Sequence, residues 1–138
     1  MFAIFEGSEV EPLECALAMQ RRLAAEKWEA IDALRIRIAI HAGPAEYRAG
    51  DYFGPVVNRL ARLLSTAWGG QIILTPEVTE TKALPTGASL TDLGIHLLKD
   101  ITEPQHVLVL VHADLLLQEF HDLRSMSSNQ NNLHRQPP

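Results

Sequence analysis

Hydrophobic and polar positions follow two rhythms along this chain, one typical of strands and one typical of helices. Between Leu34 and Ile40 every second residue is a large aliphatic, and arginine or alanine stands between them, which predicts a strand with one apolar face. Apolar residues recur at helical spacing over Leu13–Ala24 and again over Val56–Ala67. Pro12 and Pro55 stand where the first turn of each helix is expected, because proline needs no helical N–H partner there.

Shorter segments complete the pattern. The sequence Thr75-Pro76-Glu77 predicts a third helix, with Thr75 as its N-cap. A turn is expected around Glu103-Pro104, and the segment 115–120 fits either a short helix or an extended end. Further strands are predicted at Met1–Phe5, Gln71–Leu74, Ser89–Leu98 and Val107–Val111. Strands that alternate with helices indicate an α/β or α+β domain.

Length and composition limit the possible classes of protein. The 138 residues, with 46% hydrophobic and 21% charged, suit one globular domain, which we place at residues 1–120 with a polar tail or linker at 121–138. Apolar runs are a few residues long, far short of the roughly 20 that span a bilayer, so we expect no membrane segment. The formal charge of −5 argues against a nucleic-acid partner. The single cysteine, Cys15, excludes an internal disulfide framework and fits a cytoplasmic location.

The stretch from Gly50 to Leu63 carries the residues with most chemical interest. Asn58 and Arg62 are four apart on a predicted helix, so they share one face, and that face lies off the apolar stripe. An amide beside a guanidinium can orient a ribose or a phosphate, and Asp51 in the preceding turn can accept from an exocyclic amine. Spacing alone favours a plainer interpretation, in which these side chains and Arg59 form a turn and a solvated helix face.

The same stretch resembles the class III adenylate/guanylate cyclase catalytic domain. Val57, Asn58 and Arg62 match the V-N-x-x-x-R helix of that family, and the strand ending in His41-Ala42-Gly43 is similar to its R-I-x-x-H-x-G strand. Later family segments follow in the right order, at Gly69–Leu74, Leu93–Asp100 and His106–Leu110. The resemblance covers roughly residues 1–112 and implies a ferredoxin-like nucleotide cyclase fold.

The resemblance also implies roles for four residues. Asp51 corresponds to the position that reads the purine edge, and Asn58 to the one that orients the ribose and its attacking 3′ oxygen. Arg62 corresponds to the residue that stabilises charge on the phosphates, and Lys99 to a lysine that contacts the terminal phosphates. A solvated turn lysine is an equal alternative for Lys99. The implied substrate is ATP, with GTP left open.

The family binds Mg²⁺ or Mn²⁺ through two aspartates on segments that precede the one resembling Met1–Phe5. We find no counterpart of these aspartates, nor of the family's base-selecting lysine, so no metal ligand is assigned and the domain is expected to lack its N-terminal part. The resemblance leaves open whether Met1–Phe5 pairs with the strand 34–40 or whether another chain fills the slot between them. We expect His41 and His96 to be structural.

Two functions follow from this mixture of retained and missing positions. In the first, the domain supplies the nucleotide-contacting half of a composite cyclase site, in a homodimer or with another cyclase domain, and is inactive alone. In the second, it is a non-catalytic regulatory or dimerisation module, or a fragment of a larger cyclase–ATPase regulatory protein. Both place it in cytoplasmic signal transduction.

Overall fold

A four-stranded sheet with a helix packed on each face forms the centre of the fold. The computed structural model describes residues 11–26, 35–44 and 46–115. Their elements, in chain order, are α1 (Pro12–Ala25), β1 (Ile38–Ile40), β2 (Glu46–Arg48), β3 (Asp51–Phe53), α2 (Pro55–Ser65), β4 (Ile72–Leu74), α3 (Pro76–Thr81), β5 (Ser89–His96) and β6 (Gln105–Val111). The predicted α+β class is confirmed.

The sheet has the order β1-β4-β6-β5. Strands β1 and β4 are parallel, with Ile38 opposite Ile72, and α2 lies in the crossover that such a parallel pair requires. The pairs β4–β6 and β5–β6 are antiparallel, and a bulge interrupts β5 between Asp92 and Gly94. The predicted strand at Met1–Phe5 lies outside the described residues, so its pairing is not settled.

Strand β4 is buried on both faces and divides the core in two. Ile72 and Leu74 point to the side of α1, while Ile73 points to the side of α2, because neighbouring strand residues face opposite ways. The cluster beside α1 includes Leu13, Ala16, Leu17, Val78, Leu110 and Leu115. The cluster beside α2 includes Leu63, Ala67, Leu93, Leu98, Val107 and Val109. Each helix therefore covers one face of the sheet with the apolar stripe that its sequence predicted.

The predicted helix starts at Pro55 and Pro76 are confirmed, and Pro12, predicted in the first turn of its helix, is the first residue of α1. The strand predicted over residues 34–40 is regular only at Ile38–Ile40 among the residues described. Just before it, the Ile36 carbonyl accepts a hydrogen bond at 2.7 Å from the amide of Gly70, in the segment that leads into β4. The sequence also predicted a turn but not the short strands β2 and β3 on either side of it.

Candidate functional site

Asp51 is placed by a tight hairpin that leads into α2. Ala49 and Gly50 both have positive φ, +51° and +79°, which is the geometry of a two-residue turn between twisted strands. The turn sets Asp51 opposite Arg48 in the antiparallel register, so two opposite charges face each other. The Asp51 carboxylate is exposed and accepts the Tyr52 amide at 2.8 Å.

Aromatic contacts reinforce this hairpin. Tyr47 and Tyr52 are opposite each other, with ring centroids 4.9 Å apart and planes tilted by 53°. The Arg48 guanidinium lies 4.6 Å from the centre of the Phe53 ring, within cation–π range. Tyr47 and Phe53 nevertheless remain well exposed, at 64% and 39%. The hairpin thus holds Asp51 while presenting aromatic surface outward.

Gly54 sets the direction of α2 and therefore of the side chains it carries. Its φ of +129° and ψ of +175° belong to a region that glycine almost alone adopts. Its carbonyl oxygen accepts hydrogen bonds from the backbone amides of Val57 and Asn58. Asn58 is exposed in the first turn of α2, and Arg62 follows one turn later on the same side.

Arg62 connects α2 to the turn that carries Lys99. Its Nη2 donates to Oδ2 of Asp100 at 2.9 Å, and Asp100 directly follows the exposed Lys99. The structure therefore brings Asn58, Arg62 and the Lys99 turn to one region of the surface. Asp51 lies four positions before the first residue of α2, and its recorded side-chain hydrogen bond is to the Tyr52 amide within the hairpin, with no recorded contact to Asn58, Arg62 or Lys99.

Arg59 takes a part that the sequence interpretation missed. Helical spacing alone favours a solvated face for Arg59, yet its side chain is only 19% exposed. Its Nη1 donates to Oε1 of the buried Gln105 at 2.7 Å, and its Nη2 lies 3.4 Å from Oε2 of Glu103. Its spacing from Val56 and Leu63, three before and four after, places it at the edge of the apolar stripe. That spacing was the available signal.

Two arginines of α2 thus hold the β5–β6 connection, residues 97–104. Arg62 pairs with Asp100 near its start, and Arg59 contacts Glu103 at its end and Gln105 just beyond. Lys99 directly precedes the first of these attachment points, Asp100, so the contact of Arg62 holds the backbone beside Lys99 close to α2.

A cleft of about 420 Å³ opens beside Arg59, between the end of β1, α2, α3 and the end of the β5–β6 connection. His41 and Glu77 line it, and Nδ1 of His41 lies 2.7 Å from the Thr75 hydroxyl. Thr75 occupies the predicted N-cap position, but no side-chain capping bond is formed there; its hydroxyl contacts His41.

Burial and neighbouring groups shift the pKa values of His41 and Glu77. Burial lowers the pKa of His41 below its usual 6.5; Glu77 opposes the shift and Arg59 adds to it. For Glu77, burial acts to raise the pKa, but its own backbone amide, the Thr75 hydroxyl, His41 and Arg59 together lower it below 4.5. At neutral pH the cleft therefore holds a neutral imidazole beside a carboxylate.

His96, the other histidine expected to be structural, is buried at the end of β5. Its Nε2 lies 2.7 Å from the Leu93 carbonyl oxygen. Across residues 11–26, 35–44 and 46–115, no three His, Cys, Asp or Glu side chains are grouped so as to hold a metal ion. The donors of these residues do not fit a Mg²⁺ or Mn²⁺ ion.

No family model matches this sequence. It is 38% identical over 117 residues to uncharacterized proteins of Mycobacterium bovis and Mycobacterium tuberculosis, an alignment covering 83% of this chain and 38% of theirs. It is 30% identical over 103 residues to the "Putative adenylate cyclase 3" of Rhizobium meliloti, covering 73% of this chain and 18% of that protein. The chain thus spans well under half the length of these relatives.

Solved structures of adenylate cyclases from Trypanosoma brucei, described in their monomeric state, share the fold. One superposes with a TM-score of 0.57 at 28% identity, over 68% of this chain and 43% of its own. Together with the Rhizobium relative, this match decides the family. The chain contains a class III adenylate cyclase-like domain. A second trypanosomal structure, with a TM-score of 0.54 at 23% identity, covers 82% of this chain and 60% of its own and supports the fold of the cyclase-like domain. None of the helices described in it has the length and hydrophobicity of a membrane-spanning segment.

Proposed function

We propose that the cyclase-like domain binds a purine nucleoside triphosphate, ATP in the first place, through Asp51, Asn58, Arg62 and Lys99. The observation that carries the proposal is the contact between Arg62 and the turn of Lys99, one helical turn from Asn58. The contact joins α2, which carries Asn58 and Arg62, to Asp100, the neighbour of Lys99, across 38 positions of the sequence. The name of the Rhizobium relative supports an adenylate cyclase reaction.

The chemistry is cyclisation of the triphosphate to cyclic AMP and pyrophosphate. The 3′ hydroxyl releases its proton to solvent as its oxygen forms a bond to the α-phosphorus, the bond to pyrophosphate breaks, and negative charge grows on the phosphate oxygens. Asn58 orients the ribose, so that the 3′ oxygen starts near the phosphorus. Arg62 donates hydrogen bonds from a guanidinium that stays protonated, and these strengthen as charge develops. Asp51 accepts from the exocyclic amine of adenine, and Lys99 contacts the terminal phosphates.

We infer that the divalent ions of the reaction are held by a second cyclase domain, in the way a composite dimer site divides its residues. The described residues of this chain supply contacts to base, ribose and phosphate, while carboxylates on the partner supply the metal ligands. The isolated chain is then a signalling component that acts in a complex.

Nucleotide binding is the first test. Calorimetric titration of the full 138-residue chain with ATP should give saturable heat, and Arg62→Ala should weaken binding by about 10-fold or more, since a charge-assisted hydrogen bond contributes ~1.5–3 kcal/mol. Arg22→Ala is the matched control, because Arg22 is also exposed near a helix C-terminus but lies on α1. Equal affinities for wild type, R62A and R22A would refute the assigned site.

Complementation tests the composite site. The pure chain with Mg²⁺ or Mn²⁺ is expected to make no measurable cyclic AMP from ATP. Mixing it with a cyclase domain that carries the metal aspartates but an Asn→Ala substitution in its own V-N-x-x-x-R helix should restore turnover, and Asn58→Ala in this chain should abolish the gain. Robust turnover by the pure chain would refute the division of labour.

The exposed aromatic hairpin favours a second candidate, a dimerisation module that does not bind nucleotide. Tyr47 and Phe53 offer the kind of aromatic surface that protein interfaces favour. Under this alternative, ATP gives no heat, and Tyr47→Ser changes the sedimentation of the chain. Saturable ATP binding at the assigned residues would decide against it.

A further inference from the structure

The Arg62 guanidinium already has an anionic partner, the carboxylate of Asp100, and this contact is open to exchange. The recorded bond uses one nitrogen, Nη2, at 2.9 Å. The two side chains are 42% and 65% exposed. A monodentate pair in contact with water is readily replaced by a competing anion.

Asp100 also has an unusual backbone. Its φ is +61°, in the left-handed region that aspartate and asparagine tolerate better than most other residues. This conformation turns the chain directly after Lys99. The same turn therefore carries a cation, Lys99, and an anion, Asp100. The Asp100 carboxylate accepts a hydrogen bond from Arg62, the residue that we propose to contact the phosphates.

We propose that Asp100 is an internal competitor for the triphosphate, whose carboxylate occupies Arg62 until phosphate oxygens displace it. The proposal rests on the function proposed above and adds a regulatory element to the same site. Carboxylate and phosphate oxygens bind a guanidinium in the same way, so each contact that the nucleotide gains at Arg62 is offset by the loss of Asp100. The negative charge of Asp100 also repels a polyphosphate that approaches Lys99.

The matched comparison is Glu103 on the same β5–β6 connection. Glu103 also pairs with an arginine of α2, Arg59, and is also exposed, at 82% of its side chain. Asp100→Asn and Glu103→Gln remove one negative charge each from this connection and keep the size of the side chain. Asparagine is chosen at position 100 because it tolerates the same positive φ.

Affinities of the full chain are measured for ATP, AMP and adenosine by calorimetry, with urea unfolding to confirm that each variant folds. Asp100→Asn should bind ATP about 1.5- to 5-fold more tightly than wild type, equivalent to the ~0.2–1 kcal/mol of an exposed ion pair. The gain should be smaller for AMP and missing for adenosine. Glu103→Gln should change ATP affinity less than D100N does, and D100N should give no gain when Arg62 is already alanine.

Unchanged or weaker ATP binding by D100N, with wild type binding ATP and losing affinity in R62A, would overturn the competitor while leaving the proposed function intact. An equal gain for adenosine, or an equal gain in Glu103→Gln, would overturn it as well, because the effect would then not act through the phosphate contact. No ATP binding by wild type or D100N would overturn both proposals.

Discussion

Replacing Arg59 should destabilise the domain through one buried hydrogen bond. Its Nη1 donates to Oε1 of Gln105 at 2.7 Å, and Gln105 is only 5% exposed. Removing the arginine leaves that oxygen buried without the donor recorded in the structure, which costs about 1–3 kcal/mol. Arg59→Met, which keeps much of the aliphatic stem, is therefore expected to lower the free energy of unfolding by this amount.

The second contact of Arg59 should contribute much less. Its Nη2 is 3.4 Å from Oε2 of Glu103, and the Glu103 side chain is 82% exposed. An exposed pair at that distance contributes about 0–0.5 kcal/mol. The Arg59 side chain thus makes one buried interaction, with Gln105, and one exposed interaction, with Glu103. Double-mutant cycles can measure the free energy of each.

The assay is urea unfolding of the full chain at constant pH and salt, monitored by circular dichroism. One cycle combines Arg59→Met with Gln105→Ala, and the other combines Arg59→Met with Glu103→Ala. We expect a coupling free energy of about 1 kcal/mol or more in the first cycle and under ~0.5 kcal/mol in the second. Coupling to Glu103 that equals or exceeds coupling to Gln105 would refute the reasoning, as would an Arg59→Met cost below about 0.5 kcal/mol.

Two further predictions follow from His41 and from the glycines before α2. Because burial lowers the pKa of His41 below 6.5, the unfolded chain binds a proton at a higher pH than the folded chain does. The free energy of unfolding should therefore fall as the pH drops from about 7.5 through 6.5 towards the folded pKa. Urea unfolding of His41→Gln should show a shallower fall with pH, and the same pH dependence in both proteins would contradict this. An added Cβ meets no atom within 4 Å at Gly54 or Gly50, so alanine there costs backbone energy alone, about 1–3 kcal/mol at φ +129° and ~1–2 kcal/mol at φ +79°. Thermal unfolding should rank Gly54→Ala as the more destabilising, and the reverse order would argue against the conformation given for Gly54.

Local physics explains how much of the fold the sequence determined. Periods of 3.6 and 2 follow from the geometry of a few neighbouring residues, so the apolar stripes and the prolines at helix starts located α1, α2, α3 and the long strands β5 and β6. The four-residue spacing of Asn58 and Arg62 likewise put them on one face of α2. The family resemblance rests on such local runs of residues, and the comparisons confirm it at the level of a cyclase-like domain.

Only the tertiary structure decided which side chains from distant parts of the sequence come into contact. Arg62 reaches Asp100 over 38 positions and Arg59 reaches Gln105 over 46, because α2 packs on the sheet where the β5–β6 connection ends. His41 and Thr75 meet since the parallel strands β1 and β4 end side by side. No local period encodes these contacts; they depend on strand order and helix placement, which many distant apolar contacts set together. Consequently the sequence alone singles out the residues that we propose to contact the nucleotide, whereas the Asp100 carboxylate on Arg62 is identified only by the tertiary structure.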